Sequence, residues 1–477
     1  MGCGLMRVLF AEPPKSFWFV MGEYLPPPLG ILGLASYLER ELPQVEIEVV
    51  DCQAMQLDWR GLERRIESFR PDVFASSGLA TCNAYVAARA AASAKKVDPK
   101  ILTVVGGQHF TALPKESLEA FPEIDVVVRG EGEETFAELV RGRLEGKSLS
   151  EVRGISFRND GEYYATDGRP LIENLDDLPL PGYHFVKELV HKYHFTMMAG
   201  PDVRYALIEG SRGCSHSCTF CSQWKHWQGR WRTKSAKRIA DEMESLYRNY
   251  DFRFQWLTDD NFPLGQHVSE LCDELIKRGV SERVDWFVQA RCDDVVEHSE
   301  IVQRMWKAGC RWMLLGAENC DPEILHAYGK SIKPEDTSEA VKVLKANGIF
   351  AQTTFIIGHR KDTGDSIRKL KEFANQVDPD LAIFMILTPF PGTEVYQEAE
   401  RMGWIEDRNW ADYDMTHAVM PTETLSREQL HGELYRCYRD FYGSWRRRLQ
   451  GIFSSSKLKR KTYRYLAQQA LLQQFRG

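Results

Sequence analysis

With 477 residues, 43% of them apolar and 27% charged, the chain has material for two or three domains with substantial cores and the surface of a soluble protein. A net charge of −7 argues against a global field for nucleic acid, and eleven cysteines are too few for a disulfide scaffold. Eight of them (Cys3, Cys52, Cys82, Cys272, Cys292, Cys310, Cys320 and Cys437) stand singly and read as small buried apolar residues in a reducing compartment, so the expected setting is the cytoplasm. No run of about 18 apolar residues is present, which leaves no transmembrane helix, and the start of the chain lacks the apolar region of a signal peptide.

In chain order, residues 1–145 predict alternating strands and helices. Strands fall at 7–10, 45–50, 72–76, 101–105 and 125–128, with helices at 29–41, 83–96 and 133–144. Five strands alternating with helices imply a parallel, doubly wound sheet whose ligand lies across the carboxyl ends of the strands. Residues 146–203 form a less regular linker. It holds a hairpin around Asn159-Asp160-Gly161 and a rigid Leu178-Pro-Leu-Pro-Gly182 stretch. From 204 to 393 the alternation resumes. Strands are expected at 205–208, 254–258, 285–290, 311–315, 350–356 and 381–387, with helices between them, the pattern of a partial β/α barrel. The segment 394–477 reads as mostly helical. The fold class is therefore α/β throughout, with a helical C-terminal cover.

Cys214, Cys218 and Cys221 stand in the run Gly213-Cys-Ser-His-Ser-Cys-Thr-Phe-Cys221, directly after the first barrel strand. Three thiolates in one tight loop suit a cubane [4Fe-4S] cluster with one iron left free to bind a further ligand, and thiolate-held clusters reach very negative potentials. Zinc is the competing reading. It usually shows a second Cys pair or a Cys/His set, and no such pair follows here. The spacing and its context resemble the radical S-adenosylmethionine (SAM) superfamily. That resemblance implies SAM bound at the free iron, reductive cleavage to a 5′-deoxyadenosyl radical, and an electron donor such as flavodoxin or ferredoxin. In relatives, acidic residues at strand ends approach SAM. The matching positions are Asp260 in Leu257-Thr-Asp-Asp-Asn-Phe262 and Glu318 in Leu315-Gly-Ala-Glu-Asn319, though both sites also suit helix caps. Trp231-Arg-Thr-Lys-Ser235 matches the basic segment usual after the cysteine loop.

The N-terminal unit resembles the cobalamin-binding domains fused to radical SAM cores. Ser77-Gly78-Leu79 and Gly106-Gly107 match the small-residue elements at two strand ends, where a side chain would collide with the nucleotide tail. Gly130-Glu131-Gly132-Glu133 completes the layout. The resemblance implies that cobalamin is held by Ser77, Leu79, Gly106, Gly107 and His109. For His109 a satisfied structural histidine is the other reading. The chain departs from the better-known cobalamin pattern in having no D-x-H-x-x-G after its first strand, where Glu12 to Gly22 stands instead. No histidine is thereby offered to cobalt from below.

Together these features resemble class B radical SAM methyltransferases, and the C-terminal segment is most similar to that of hopanoid C-3 methylases. Methylation of an unactivated carbon in a lipid or other apolar small molecule is the expected activity. The alternative is an oxidative cyclase resembling that of Mg-protoporphyrin monomethyl ester, working without methyl transfer. From 441 to 477 there is no Asp or Glu, and basic residues interleave with aromatics, which suits peripheral contact with an anionic membrane as well as a plain solvated tail. A nucleic-acid partner is not expected, because the second cysteine set of tRNA methylthiotransferases is missing.

Overall fold

The computed structural model describes residues 5–15, 24–78, 80–200 and 202–474, leaving Cys3 and Leu79 outside. Its N-terminal sheet contains β1 (Arg7–Glu12), β2 (Glu46–Asp51), β3 (Val73–Ser77), β4 (Leu102–Gly106), β5 (Val126–Val128), β6 (Ile155–Asn159) and β7 (Glu162–Ala165). The order is β2-β1-β3-β4-β5-β6-β7, parallel through β5 and antiparallel beyond it. The expected doubly wound arrangement is present, with its order reversing beside β1 and β3. The hairpin of the linker stretch adds to its edge.

Both faces of this sheet are covered, and β1 shows why. Val8 and Phe10 enter the core shared with helices Leu29–Glu41 and Glu133–Glu145, whereas Leu9 and Ala11 enter the one shared with Trp59–Phe69 and Ala84–Val97. A period of two sends successive side chains to opposite faces, so a strand buried on both sides reads as one apolar run.

The second sheet holds β8 (Tyr205–Ile208), β9 (Phe254–Leu257), β10 (Asp285–Arg291), β11 (Cys310–Glu318), β12 (Phe350–Ile357) and β13 (Leu381–Ile386). They are parallel and paired in sequence order, the expected partial barrel. Its floor is aromatic. Phe254, Phe287, Trp312 and Phe350 share one buried cluster, with the Trp312 and Phe350 rings 3.9 Å apart. Helix Lys457–Gln474 closes that floor with Leu458, Tyr465 and Leu466. Tyr465 of the basic tail is thus turned inward.

A barrel of six strands stays open and has two edges whose backbone groups need partners. Tyrosine hydroxyls supply them. Tyr183 donates to the Leu207 carbonyl at 2.8 Å and accepts from the Leu207 amide at 3.2 Å. On β13, Tyr442 donates to Ala382 O at 2.8 Å and accepts from its amide at 3.0 Å. Tyr438 does the same at Phe384, at 2.9 and 3.2 Å. Both residues lie on helix Arg427–Tyr442, whose start carries a Ser426/Gln429 capping box.

Tyr438→Phe and Tyr442→Phe should each cost about 1–3 kcal/mol, because each leaves a strand amide and a carbonyl short of a partner. Urea denaturation is the check, with a lowered midpoint at unchanged slope expected.

Candidate functional site

The carboxyl ends of β8–β13 form the mouth of the barrel, and the cysteine loop lies across it. The chain leaves β8 through Glu209 and Gly210 and pairs Ser211–Arg212 with Arg232–Thr233 in a short antiparallel ribbon. It then turns at Gly213 with φ of +89°. Only glycine suits that turn, since a Cβ would overlap the Arg230 carbonyl oxygen and approach Trp227 to 3.0 Å. Cys214, Cys218 and Cys221 follow, all half-buried.

Neighbouring segments pin the loop. Thr219 N donates to Tyr328 O at 2.9 Å, and Thr219 Oγ1 donates to Ala327 O at 3.0 Å. Gly329 leaves room for the loop, as a Cβ there would stand 3.1 Å from Ser217 O. Phe220 packs edge-on against Tyr328 with ring centroids 4.9 Å apart. The thiols are near enough to raise one another's pKa, and burial pushes Cys221 up to about 12. Among the described residues they are not drawn into a common coordination sphere. As donors, three thiols on one loop fit an iron–sulfur cluster, whose iron would displace their protons outright.

Asp260 lies beside this loop, half-buried near Gly213 and Trp227, and burial raises its pKa to about 7. Its charge acts on both Cys214 and Cys221. The adjoining Asp259 is wholly buried against Gly210 and is likewise raised to about 7 by burial. Ser211 is near enough to favour the Asp259 charge, yet no well-aligned hydrogen bond reaches either oxygen. Asn261 Oδ1 is also buried without a partner. Unsatisfied polar atoms at a strand end fit a polar ligand seated in the mouth, as SAM would be.

Glu318 sits at a bulge in β11 with φ of +61°. Its carboxylate accepts from Lys330 Nζ at 2.5 Å and from Thr354 Oγ1 at 3.3 Å. Gly316 makes space for the pair, because a Cβ there would lie 2.6 Å from Lys330 Nζ. Both charges are felt at Cys218. Lys330 was not singled out by the sequence pattern; Gly329-Lys330 follows a helix end and reads as an ordinary cap.

The second set of expected residues converges on the same place. Ser77 pairs with Gly106 across β3 and β4, and Gly78 N donates to Gly106 O at 3.0 Å. Gly107 has φ of +101°. Ser76 Oγ and His109 Nδ1 are both buried and unpartnered, and such orphans fit a ligand at these strand ends. His109 is wholly buried, its pKa lowered to about 4 by that burial, and its ring meets Trp410 edge-on at 4.5 Å. Trp410, unremarked in the sequence, comes from the C-terminal segment. Leu79 lies outside the described residues, as does most of the stretch from Glu12 to Gly22.

Two sets of contacts join the units. Gln108 Oε1 accepts from Ser222 Oγ at 3.3 Å, and its Nε2 donates to Gln223, so the residue after Gly107 touches the pair after Cys221. Glu131 is buried between Arg212 at 2.7 Å and Arg232 at 3.0 Å. Glu133 and Glu209 complete the set on Arg212, at 2.6 and 2.8 Å. The basic segment after the cysteine loop is spent inside the protein, for Lys234 pairs with buried Glu242 at 2.9 Å.

The comparisons agree with this geometry. Residues 21–140 match the B12 binding domain and residues 208–374 match the Radical SAM superfamily. An uncharacterized methyltransferase of Pyrococcus horikoshii is 31% identical, covering 92% of this chain and 93% of its own. The chain belongs to the radical SAM methyltransferase family that carries a B12-binding domain. Within reach of this family lie an anaerobic magnesium-protoporphyrin IX monomethyl ester cyclase of Rubrivivax gelatinosus and the hopanoid C-3 methylase of Methylococcus capsulatus. The first is 30% identical over 96% of this chain and 80% of its own, and the second 27% over 87% and 76%. In fold, the chain matches the radical SAM methyltransferase TsrM of Kitasatospora setae with a TM-score of 0.71 at 19% identity, over 91% of this chain and 88% of that one. The cofactors of the B12-binding radical SAM family are SAM, a [4Fe-4S] cluster and cobalamin, and the residues gathered here fit all three.

Gly213→Ala should abolish cluster incorporation, read as iron and sulfide content after anaerobic reconstitution, while His216→Ala keeps it. Glu131→Ala leaves two buried arginines short of an anion and should cost about 3–5 kcal/mol, checked by thermal unfolding.

Proposed function

We infer that this enzyme transfers a methyl group to an unactivated carbon of an apolar small molecule, with a hopanoid as the first candidate. The observation that carries this reading is the bridge from Gln108 to Ser222 and Gln223. It sets the strand ends of the B12-binding domain against the cysteine loop, with one layer of side chains between them. Bound at these places, the cluster with SAM would supply a hydrogen-abstracting radical and cobalamin a transferable methyl group.

The chain's own residues orient these partners and keep water out. Lys330 balances Glu318 at the mouth, so a ligand meets a neutral pair rather than a bare carboxylate. Phe220, Tyr328, Met385 and Met420 belong to one apolar cluster beside the cysteine loop, an environment that suits a greasy substrate. The segment from Trp410 to Met415 spans the two units. Trp410 meets the His109 ring edge-on, while Met415 O accepts from Ile386 N at 2.8 Å at the end of β13. A donor such as flavodoxin or ferredoxin would supply the electron. Ring closure without methyl transfer is the second reading, and the similarity to the cyclase favours it.

An anaerobic turnover assay with reduced, reconstituted protein separates the two. With a hopanoid, S-adenosylhomocysteine and 5′-deoxyadenosine should form together with methylated product. If only 5′-deoxyadenosine accompanies a ring-closed magnesium porphyrin, cyclisation is the activity. Failure of both with an intact, reducible cluster discards both substrates.

A further inference from the structure

One apolar stripe on the C-terminal helices is largely exposed among the described residues. Helix Trp445–Ile452 and the residue after it place Trp445, Leu449 and Phe453 four residues apart, on one side of the helix. They are 74%, 46% and 74% exposed. The other side is fixed in place. Gly451 abuts the Tyr463 ring so closely that a Cβ would overlap it. Arg447 turns inward, 3.8 Å over the Phe441 ring and 2.7 Å from Asp378. The outward direction of the stripe therefore follows from packing.

Cations flank it. Arg446 and Arg448 are exposed on either side, Arg448 donating one hydrogen bond to Tyr442 O at 2.7 Å, and Lys457 is exposed just beyond. Residues 441–477 hold nine Lys and Arg and no Asp or Glu, in a chain whose net charge is −7.

We propose that this face docks on an anionic lipid bilayer. Trp445, Leu449 and Phe453 enter the boundary between headgroups and acyl chains, and Arg446, Arg448 and Lys457 rest on the headgroup phosphates. Aromatic and aliphatic side chains along one side of a short helix, with cations on both flanks and no carboxylate within the segment, suit a planar anionic interface. A single-stranded RNA would employ the cations but give Leu449 and Phe453 nothing to do. Asp378 precedes β13, and helix Lys457–Gln474 closes the barrel floor, so the docking face lies at the end away from the mouth. Binding would localise the enzyme without covering its cleft, and it stands whichever substrate the cleft takes.

Flotation of the full-length, cluster-loaded protein with vesicles tests this. It should float with phosphatidylcholine/phosphatidylglycerol vesicles, far less with phosphatidylcholine alone, and be released by raised salt. The double variant Trp445→Ala/Phe453→Ala should lose at least about tenfold in partitioning. Its rate of 5′-deoxyadenosine formation in vesicle-free buffer should equal that of the unaltered protein, which shows that fold and cluster survive. The proposal is overturned if the unaltered protein does not float, if the double variant floats equally well, or if the protein binds single-stranded RNA in preference to the vesicles.

Discussion

The carboxylate of Glu131 is the fixed point between the two halves of this enzyme. It is held by Arg212 and Arg232 and also accepts from Ile172 N at 2.6 Å. A buried charge set of this kind adds little net stability over an apolar equivalent, but it penalises heavily any arrangement that separates its members. Arg212 stands two residues before Cys214, and Gln108 holds the residues just past Cys221. Both ends of the cysteine loop are thus positioned from strand ends of the B12-binding domain. The spacing between the loop and the ends of β3 and β4 is set by protein contacts at both ends of the loop.

The barrel is graded along its axis. Its floor is aromatic and closed by helix Lys457–Gln474, whereas its mouth gathers Asp259, Asn261, Arg291, Glu318 and Lys330 in buried positions. Buried polar groups without partners are costly, so the unpaired oxygens of Asp259 and Asn261 favour a polar ligand at the mouth. Arg291 illustrates the restraint applied there. Asp293 grips it with two hydrogen bonds, at 2.9 and 2.7 Å, which fixes its charge within electrostatic reach of Cys218.

Much of this was legible in the sequence. Periodicity placed all six barrel strands, and helix Leu29–Glu41 falls on its expected residues, because strands buried on both faces and amphipathic helices leave strong local signals. The cysteine loop was legible since ligand spacing is a local property. Lys330 and Trp410 were not, because each gains its role from a partner far along the chain, Glu318 or His109. Glu131 was noticed in a glycine-rich run, but nothing local revealed that its partners are arginines about eighty and a hundred residues on. The basic, aromatic tail divided in a way composition cannot show. Tyr465 faces the floor while Trp445 and Phe453 face outward, a choice made by the close approach of Gly451 to Tyr463.

The hydroxyl-sealed edges have a consequence for how such a protein diversifies. Tyr438 and Tyr442 finish β13 through side chains, so no further strand must be spliced into the ladder at a fixed register. The stretch from 387 to 426 is held at intervals, by Val395 N on Thr219 O, Trp410 on His109 and Met415 O on Ile386 N, and can vary in length only between those points. Insertions or deletions there would reshape the cover of the cleft while the barrel and the cysteine loop keep their geometry. A radical-generating core of constant form can in this way be fitted with a different roof for each new substrate.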